Sequence, residues 1–426
     1  MDLVGTTIPG SRVLAKARSS AGDWLVDLPV ATAIKAPSAI ELSTGEVTGA
    51  REHTSWYREQ LHDAYGARNQ QADITPAANV RKEFDDVVIV NCIDHLYGHC
   101  LLKLLNSDYH HQRQPNVGIC VLIQPQLRHM IPDYVAEVWE VPVKLADGVQ
   151  WYDSIDRWIQ ARLPKYKSVS VSRAYSHLSP QYYDIQSFAG NRIQPLSELC
   201  DRSPIVHFSC RPDRCWGHSE HKQQQRLRRL YFQLRQRYEK IGFVISGFGE
   251  AHTFDDDWHS GWIDLRTTDL DSKKEDRWIS SMAVADVAVG VHGSNMLLPT
   301  AFAQSSVIML PFWKYDGIAL DVLMPKADGD PREEMLNYAF VYGDDNLLDV
   351  SPQRLSKVIA NKLGYSRINM EWFRHGPDYE NTELLNELLM DRERVSAVHR
   401  NERLNFLGRL KRGLRYQCLK LIAALE

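Results

Sequence analysis

The sequence predicts an α/β protein with two Rossmann-like domains that face a cleft, followed by C-terminal helices. Three observations carry this prediction: short apolar runs, amphipathic helical segments that alternate with them, and a polar stretch between two such series. Apolar runs without a polar member are typical of strands that are buried on both faces of a parallel sheet. With 426 residues, 44% of them apolar, the chain is long enough for two or more domains with large cores.

The pattern divides the chain into four parts. Residues 1–80 are mixed and carry no motif, so we interpret them as an N-terminal elaboration. Residues 81–195 and 204–365 each alternate strands with helices, which predicts an N-terminal and a C-terminal Rossmann-like domain. A polar, irregular linker over 173–203 lies between the two series. The last part, residues 366–426, is predicted to be helical.

The elements of each domain follow from periodicity and from turn residues. The first domain is predicted to contain strands at 86–91, 117–123 and 168–172, a helix at 132–139 and extended chain at 140–145. The second domain is predicted to contain strands at 205–210, 243–248, 287–291 and 306–310, an edge strand at 336–343, and helices at 220–240, 275–285 and 351–363.

The turn His292-Gly293-Ser294-Asn295 is the strongest candidate for a ligand site. It joins the predicted strand at 287–291 to a helix, which is where open α/β sheets bind ligands. Gly293 lets a ligand approach the backbone closely. Ser294 or Asn295 is predicted to cap the helix, whose N-terminus offers free N–H groups to an anion. The alternative is that the turn only caps the helix.

A second loop, Arg211-Pro-Asp213-Arg214, follows another strand of the same domain, so it should open on the same sheet edge. Arg211 and Arg214 can pair with phosphate oxygens in a bidentate way, and we assign Asp213 to the same set of residues that bind the phosphate-bearing substrate, the donor. Alternatively, Arg211 and Asp213 form a local salt bridge that shapes the loop. Together with N–H groups near Gly293, the arginines could stabilise a departing diphosphate without a metal. No cofactor is therefore expected.

A histidine-rich turn is predicted in the first domain, between a strand and a leucine-rich helix. Asp94, His95 and His99 lie in this turn, and each is a candidate for the base that deprotonates an acceptor hydroxyl. The alternative is a structural histidine whose hydrogen bonds are satisfied within the fold.

Composition argues against several classes of partner and site. A net charge of -4 and a pI near 6.5 are unlike those of a general nucleic-acid binder. Seven cysteines without a CxxC pair favour free thiols in a reducing compartment. The spacing of Cys210, Cys215, His218 and His221 matches no common zinc pattern. The acidic run at 255–257 has no strand directly before it, so we interpret it as a solvated loop.

The sequence carries neither a signal-peptide pattern at its N-terminus nor an apolar run of about 18 residues. We therefore expect a cytoplasmic protein, or one that is peripheral on the inner face of a membrane. The basic amphipathic helix predicted at 404–426 either packs on the N-terminal domain or lies on an anionic membrane surface.

Three motifs, in this order, resemble the family 61 glycosyltransferases, a group that includes bacterial capsular-polysaccharide biosynthesis proteins. They are Tyr97-Gly-His-Cys-Leu-Leu102, Phe208-Ser-Cys-Arg-Pro-Asp-Arg214 and the stretch from Ala285 to Phe302. The last motif is the most specific, and the three together cover about residues 85–312. Ser294-Asn295 stands where Ala-Gly is usual in the family.

The resemblance implies a GT-B fold and an inverting, metal-independent transfer from a nucleotide-sugar donor to a hydroxyl of a polysaccharide or glycolipid acceptor. The donor would bind at the two loops of the second domain, and the acceptor near the histidine-rich turn. Two alternatives stay open: a catalytically inactive scaffold of a polysaccharide assembly complex, and a different GT-B enzyme of the fucosyltransferase or epimerase type. The sequence also leaves open the nucleobase and the sugar of the donor, the acceptor and the oligomeric state.

Overall fold

The computed structural model describes residues 2–20, 22–27, 38–49, 55–174, 178–189, 192–252, 260–314, 321–323 and 337–375. The chain divides into two compact units, residues 1–363 and 364–426, and the second unit is described over 364–375, where it is helical. No helix within the described ranges combines the length and the apolarity needed to cross a membrane. The predicted acidic loop at 255–257 and the predicted basic helix at 404–426 lie outside the described residues.

The N-terminal elaboration is an antiparallel meander covered by one helix. Its strands, in sheet order, are β1 (Asp2–Thr7), β2 (Leu14–Ser19), β3 (Gly22–Asp27), β4 (Ser38–Glu41) and β5 (Val47–Gly49). Helix α1 (Ser55–Gly66) packs on this sheet, because Leu61 lies in one apolar cluster with Leu14, Leu25 and Ile40. The meander is tied to the next domain by Asn91, whose Nδ2 donates a 2.8 Å hydrogen bond to the carbonyl of Gly10.

The N-terminal domain is a five-stranded sheet of order β10-β7-β8-β9-β6. Its strands are β6 (Ala77–Val80), β7 (Asp86–Asn91), β8 (Gly118–Ile123), β9 (Glu137–Glu140) and β10 (Ser168–Val171), and its helices are α2 (Tyr97–Leu104), α3 (Asn106–Arg113) and α4 (Asp153–Arg162). All pairs are parallel except β6 with β9. Strand β7 is buried over Val87–Asn91, as expected of a central strand that is covered on both faces.

The C-terminal domain is a fully parallel six-stranded sheet of order β13-β12-β11-β14-β15-β16. Its strands are β11 (Ile205–Cys210), β12 (Gly242–Gly247), β13 (Trp262–Asp264), β14 (Val287–Val291), β15 (Ser306–Pro311) and β16 (Tyr338–Gly343). Counted within the domain, the order is 3-2-1-4-5-6, the order of a dinucleotide-binding doubly wound sheet. The predicted α/β fold with two Rossmann-like domains is therefore confirmed.

Helices cover both faces of this second sheet. They are α6 (Glu220–Arg235), α7 (Ser272–Ala283), α8 (Leu297–Phe302) and α9 (Pro352–His375). Helix α6 begins where the sequence predicts, since Ser219 caps it by accepting a hydrogen bond from the Lys222 amide. Helix α9 packs on the sheet through Leu355 and Ile359, which lie in the main core cluster of the domain.

One apolar cluster joins the two domains, so they meet through a shared core. Leu101 and Leu104 of α2 lie in it with Ile279 of α7 and Leu298 of α8. Part of the stretch predicted to be an irregular linker also belongs to this cluster. The short helix α5 (Ile185–Ala189) buries both of its end residues there, so this stretch contributes to the interface as well as connecting the domains.

The helix predicted at 132–139 is wrong. Residues Glu137–Glu140 form β9, which pairs with β8 on one side and with β6 on the other. The apolar residues of this segment, Val135, Ala136, Val138 and Trp139, are spaced as on one face of a helix. Pairing with two neighbouring strands instead provides hydrogen bonds for the backbone N–H and C=O groups of this segment. This stabilisation by tertiary structure outweighs the weak preference of the local sequence for a helix.

Candidate active site

The two predicted donor loops lie side by side at the switch point of the second sheet. Strands β11 and β14 are hydrogen-bonded neighbours, and the strand order reverses between them. The loop Arg211–Arg214 follows β11, and the turn His292–Asn295 follows β14. In open α/β sheets, ligands bind in the crevice at this point because the adjacent connections leave to opposite faces. The topology therefore brings these two sequence-predicted loops into one crevice.

The guanidinium groups of Arg211 and Arg214 both lie next to Gly293. A Cβ atom built at Gly293 would lie 2.7 Å from Arg211 Nη1 and 2.8 Å from Arg214 Nη1. The backbone of Gly293 has φ +133°, a conformation that residues with a side chain rarely adopt. Glycine thus meets two requirements at this position, an unusual backbone angle and room for two guanidinium groups.

Arg211 and Asp213 form the local ion pair that the sequence left as an alternative. Arg211 donates from Nε to Asp213 Oδ1 at 2.8 Å and from Nη2 to Oδ2 at 2.5 Å. Burial works to raise the pKa of Asp213, but the hydrogen bonds and charge of Arg211 outweigh it, and the pKa is lowered. The pair uses one edge of the guanidinium, while Nη1 is turned toward Gly293. The ion pair therefore orients Arg211 and leaves one donor group directed into the crevice.

Arg214 is held by the turn after β14. Its Nη1 lies 3.2 Å from His292 Nδ1 and 3.2 Å from the His292 carbonyl. Because a guanidinium only donates, Nδ1 of His292 acts as the acceptor in this contact, which places the ring proton on Nε2. Burial, together with the adjacent charge of Arg211, lowers the pKa of Arg214. Two cations this close favour the binding of an anion between them.

An acidic side chain also lies near Nδ1 of His292. Asp321 Oδ2 is 3.7 Å from His292 Nδ1, and its side chain is 8% exposed. Within the described ranges, this carboxylate oxygen has no hydrogen-bond partner. Asp321 therefore offsets part of the positive charge of the crevice.

Ser294 and Asn295 do not cap a helix, so this part of the prediction is wrong. The turn continues as a single 3-10 turn, Ser294–Met296, which leads into the six-residue helix α8, and neither element has a side-chain cap. Asn295 instead turns back to β11, where its Nδ2 donates to Ser209 Oγ at 3.2 Å, and Ser209 donates to the Asn295 carbonyl at 2.9 Å. Asn295 thus ties the two loop-bearing strands together.

The histidine-rich turn of the first domain is centred on the carboxylate of Asp94. Asp94 Oδ1 lies 3.1 Å from His95 Nδ1 and 3.5 Å from His99 Nδ1. Its other oxygen, Oδ2, is 2.7 Å from Lys103 Nζ, and this lysine side chain is 1% exposed. Oδ1 also accepts a hydrogen bond from the Leu96 amide at 3.1 Å. The three predicted residues are therefore brought together, along with a lysine that the sequence did not single out.

Asp94 is unsuited to act as a base. Burial works to raise the pKa of Asp94, but the Lys103 ammonium and the two imidazoles outweigh burial and hold the pKa well below its ordinary value of 3.8. A carboxylate with so low a pKa stays ionised and accepts protons poorly. It can orient His95 and His99, since a ring whose Nδ1 faces a carboxylate presents Nε2 outward. Both imidazoles are 37% exposed.

The two turns from different domains are in direct contact. Gly98, in the first turn of α2, faces Ser294, and a Cβ built at Gly98 would lie 2.5 Å from the Ser294 Cβ. The turn that follows β7 therefore touches the turn that follows β14.

A second charged cluster at the domain interface was missed by the sequence analysis. Glu275 of α7 is fully buried and accepts from Tyr97 Oη, His129 Nε2 and Arg192 Nη2. Burial works to raise the pKa of Glu275, but these partners outweigh it and lower the pKa. The sequence does contain a pattern that could have revealed this residue. Glu275 precedes Trp278, Ile279 and Met282 by three, four and seven residues, and this spacing places it on the buried face of α7.

The described residues contain no group of three or more His, Cys, Asp or Glu side chains placed to hold a metal ion. His218 Nδ1 donates to Asn346 Oδ1 at 3.2 Å, and His221 Nε2 accepts from Gln225 Nε2 at 2.8 Å. Cys210 and Cys215 are free thiols, and burial raises the pKa of both.

No family model matches the chain, and no curated protein matches it. Among solved structures, the chain is similar to the E. coli ADP-heptose lps heptosyltransferase II, with 14% identity over 66% of this chain and 99% of that chain, at a TM-score of 0.42. It is also similar to E. coli heptosyltransferase WaaC with ADP, with 13% identity over 65% and 99% of the two chains, at a TM-score of 0.41. A trehalose-6-phosphate synthase matches with 12% identity over 80% and 76%, at a TM-score of 0.28.

Proposed function

We propose that this protein is a glycosyltransferase that moves a sugar from a nucleotide-sugar donor to a hydroxyl of a polysaccharide or glycolipid acceptor. The observation that carries the proposal is the convergence of Arg211 and Arg214 on Gly293, at the switch point of the second sheet. A diphosphate is the ligand that two guanidinium groups and an open glycine backbone suit best. The resemblance to the family 61 glycosyltransferases belongs to the same proposal.

In the proposed reaction, the diphosphate of the donor lies on the two arginines, for whose guanidinium groups Gly293 leaves room. The acceptor hydroxyl attacks the anomeric carbon from the face opposite the leaving group, and the bond from that carbon to the phosphate oxygen breaks. The negative charge that develops on the leaving diphosphate is stabilised by Arg211 and Arg214. A single displacement of this kind inverts the anomeric centre. Because the arginines neutralise the leaving group, we propose that the transfer is metal-independent.

The proton of the acceptor hydroxyl passes to Nε2 of His95 or His99. Asp94 Oδ1 lies beside Nδ1 of both rings, so its charge stabilises the imidazolium that forms, and it remains ionised throughout. The contact of Gly98 with Ser294 supports this assignment, because it sets the histidine-bearing turn against the donor crevice. In this scheme His292 is a positioning residue, since it accepts from Arg214.

We further propose that the acceptor is a growing surface polysaccharide or glycolipid on the cytoplasmic side of a membrane. Residues 404–426 would then lie on the anionic surface of that membrane. Binding of the full chain to anionic vesicles, compared with a variant in which Arg409, Lys411, Arg412 and Arg415 are replaced by glutamine, tests this part by itself.

The test of the main proposal is a thermal-shift screen with UDP-, GDP-, CMP- and dTDP-sugars, followed by product analysis. A donor present at 100 times its dissociation constant should stabilise the folded state by about 2.7 kcal/mol. Arg211→Ala should abolish this stabilisation, whereas Arg229→Ala, which removes an equal charge from the exposed face of α6, should keep it.

The same experiment separates the alternatives. A catalytically inactive scaffold would be stabilised by none of these nucleotide sugars. An epimerase would bind one of them and release free nucleotide in the absence of any acceptor. Either result would overturn the assignment as a transferase.

A further inference from the structure

Two aromatic side chains stand exposed at the carboxyl end of β15, the strand next to β14. Phe312 is 69% exposed and Trp313 is 62% exposed. A hydrogen-bonded turn, from the Lys314 amide to the Pro311 carbonyl at 2.9 Å, fixes the backbone that carries them, and Phe312 is also tied to β16 through Gly343. Large apolar rings that are exposed side by side on an ordered backbone are typical of a binding surface.

The two rings differ in their surroundings. Phe312 stacks on Tyr342 of β16, with ring centres 6.0 Å apart and an angle of 11° between the planes. Trp313 instead meets His292 edge to face, with ring centres 6.3 Å apart and an angle of 83°. His292 is the residue that accepts from Arg214. The ring of His292 therefore lies between the arginine crevice and the indole.

We infer that Trp313 is the stacking surface for the nucleobase of a nucleoside diphosphate whose phosphates lie on Arg211 and Arg214. The inference rests on the proposed function and assigns one of its subsites. In a nucleotide, a ribose separates the base from the diphosphate, and here His292 separates the indole from the arginines. Aromatic faces bind any base by stacking, so Trp313 would contribute affinity for the base without selecting strongly among bases.

A cavity on the other side of the sheet edge is a competing position for the nucleobase. A cavity of about 480 Å³ lies beyond β12, and its lining includes Glu220, His221, Glu250 and Arg266. Arg266 is already paired with Asp264 at 2.6 Å, and the two glutamates would repel a nearby phosphate. The lining contains no Phe, Tyr or Trp side chain. Stacking therefore favours the β15 side for the base.

The experiment measures binding of UDP, GDP, ADP, dTDP and inorganic pyrophosphate by isothermal titration calorimetry. With the tightest nucleoside diphosphate, Trp313→Ala should weaken binding by about 5- to 100-fold, which is the usual effect of removing one stacked ring. Pyrophosphate binding should stay unchanged in this variant, because pyrophosphate has no base to stack. Trp313→Phe should restore most of the lost affinity.

Two control variants sharpen the result. Trp56→Ala removes another exposed indole, 56% exposed, that lies in α1 of the N-terminal elaboration, and it should leave both affinities unchanged. Glu250→Gln alters the cavity beyond β12 and should also have no effect. Arg211→Ala should weaken nucleoside diphosphate and pyrophosphate alike, which separates the phosphate subsite from the base subsite.

Three other results would contradict the inference, and each would have a different meaning. If Trp313→Ala binds the nucleoside diphosphate as tightly as the wild-type protein, the base lies elsewhere and the proposed function stands. If Glu250→Gln loses affinity while Trp313→Ala does not, the base lies in the cavity beyond β12. If the wild-type protein binds neither nucleoside diphosphates nor pyrophosphate, the proposed function and this inference are both overturned.

Discussion

Gly98 and Ser294 are in contact, and this contact joins the two turns of the candidate site, one from each domain. Gly98 lies in the first turn of α2, one residue before His99, and Ser294 directly follows Gly293. A Cβ built at Gly98 would lie 2.5 Å from the Ser294 Cβ and 2.7 Å from the Ser294 carbonyl oxygen. Glycine is therefore required here by the approach of another chain segment, although a helix would favour alanine.

Gly98→Ala should reduce both stability and nucleotide-sugar turnover. Alanine gains about 0.5–1 kcal/mol of helix propensity, but overpacking against a backbone oxygen costs about 1–3 kcal/mol, so a net loss of up to about 2.5 kcal/mol is expected. Urea denaturation measures this loss. The control is Gly66→Ala, where an added Cβ would meet nothing within 4 Å and stability should be equal or higher. Equal stability of the two variants would show that the domains do not meet at Gly98.

Gly293→Ala should weaken pyrophosphate binding at least about tenfold, the effect of losing one charge-assisted hydrogen bond. The new methyl group would displace Nη1 of both Arg211 and Arg214, and the backbone at φ +133° adds about 1–3 kcal/mol of strain. Gly45→Ala is the matched control, since Gly45 also has a positive φ, +74°, but lies in the N-terminal meander. Calorimetry should show that Gly45→Ala binds pyrophosphate as tightly as the wild-type protein. If both variants lose pyrophosphate affinity to a similar extent, the loss in Gly293→Ala results from destabilisation alone.

Asp94→Asn should destabilise the protein by about 3–5 kcal/mol, because it leaves the buried Lys103 ammonium without its partner 2.7 Å away. The double variant Asp94→Asn/Lys103→Met removes both charges and should recover most of the lost free energy of unfolding. Guanidinium denaturation of the three proteins measures these values. Absence of recovery in the double variant would mean that Asp94 stabilises the turn mainly through His95, His99 and the Leu96 amide.

Glu275→Gln should lower the free energy of unfolding by about 3 kcal/mol, since it removes a fully buried charge that holds Arg192 and His129 at the domain interface. Asp276→Asn is the matched control, because Asp276 pairs with the same arginine at 2.6 Å but is 36% exposed, and it should cost about 0–1 kcal/mol. The pKa of Glu275 is lowered in the folded state, so its contribution is present above its ordinary pKa of 4.5 and is lost as the pH falls through the lower folded value. Chemical denaturation at pH 7 measures both variants, and equal costs would contradict the role of Glu275 as the buried centre of the cluster.

His207 should make stability depend on pH near neutrality. It is fully buried between Ser246 and Ser281, and burial lowers its pKa from 6.5 to about 3. As the pH falls below 6.5, the unfolded chain takes up a proton that the folded protein does not, so the free energy of unfolding decreases by up to about 1.4 kcal/mol per pH unit. His207→Gln should show a flatter profile than the wild-type protein between pH 7 and 5 in urea denaturation. Parallel profiles would contradict this prediction.

The strands could be predicted from the sequence because a strand in a parallel sheet is covered on both faces. Val87–Val90 and Val287–Val291 are continuous apolar runs for that reason, and each ends where polar residues begin. The same rule failed at Glu137–Glu140, where helical spacing of apolar residues was overruled by pairing with two strands. The apolar pattern of a segment predicts its secondary structure well where burial alone selects a helix or a strand. It predicts less well where pairing with neighbouring strands makes that selection.

The sequence predicted that the two loops of the second domain share a sheet edge, but it did not predict the contacts among their side chains. Arg211, Arg214, His292 and Gly293 were identified because polar residues that follow buried strands collect at one sheet edge. The helix cap at Ser294 and Asn295 was not formed, since the hydrogen bonds of Asn295 go to β11, 86 residues earlier in the chain. Lys103 was not recognised as the partner of Asp94, because it stands within a leucine-rich helix where a lysine is expected to face solvent.

The sequence by itself determined the α/β class, most strands and the residue types that collect at the carboxyl edges of two sheets, because these follow from local periodicity and turn chemistry. The tertiary structure alone decided which side chains of these turns are in contact. The contact of Gly98 with Ser294, the charged cluster of Tyr97 with Glu275 and the indole of Trp313 beside His292 are contacts between residues distant in sequence. Tyr97 and Glu275 are 178 positions apart, and only packing of the shared core brings them together.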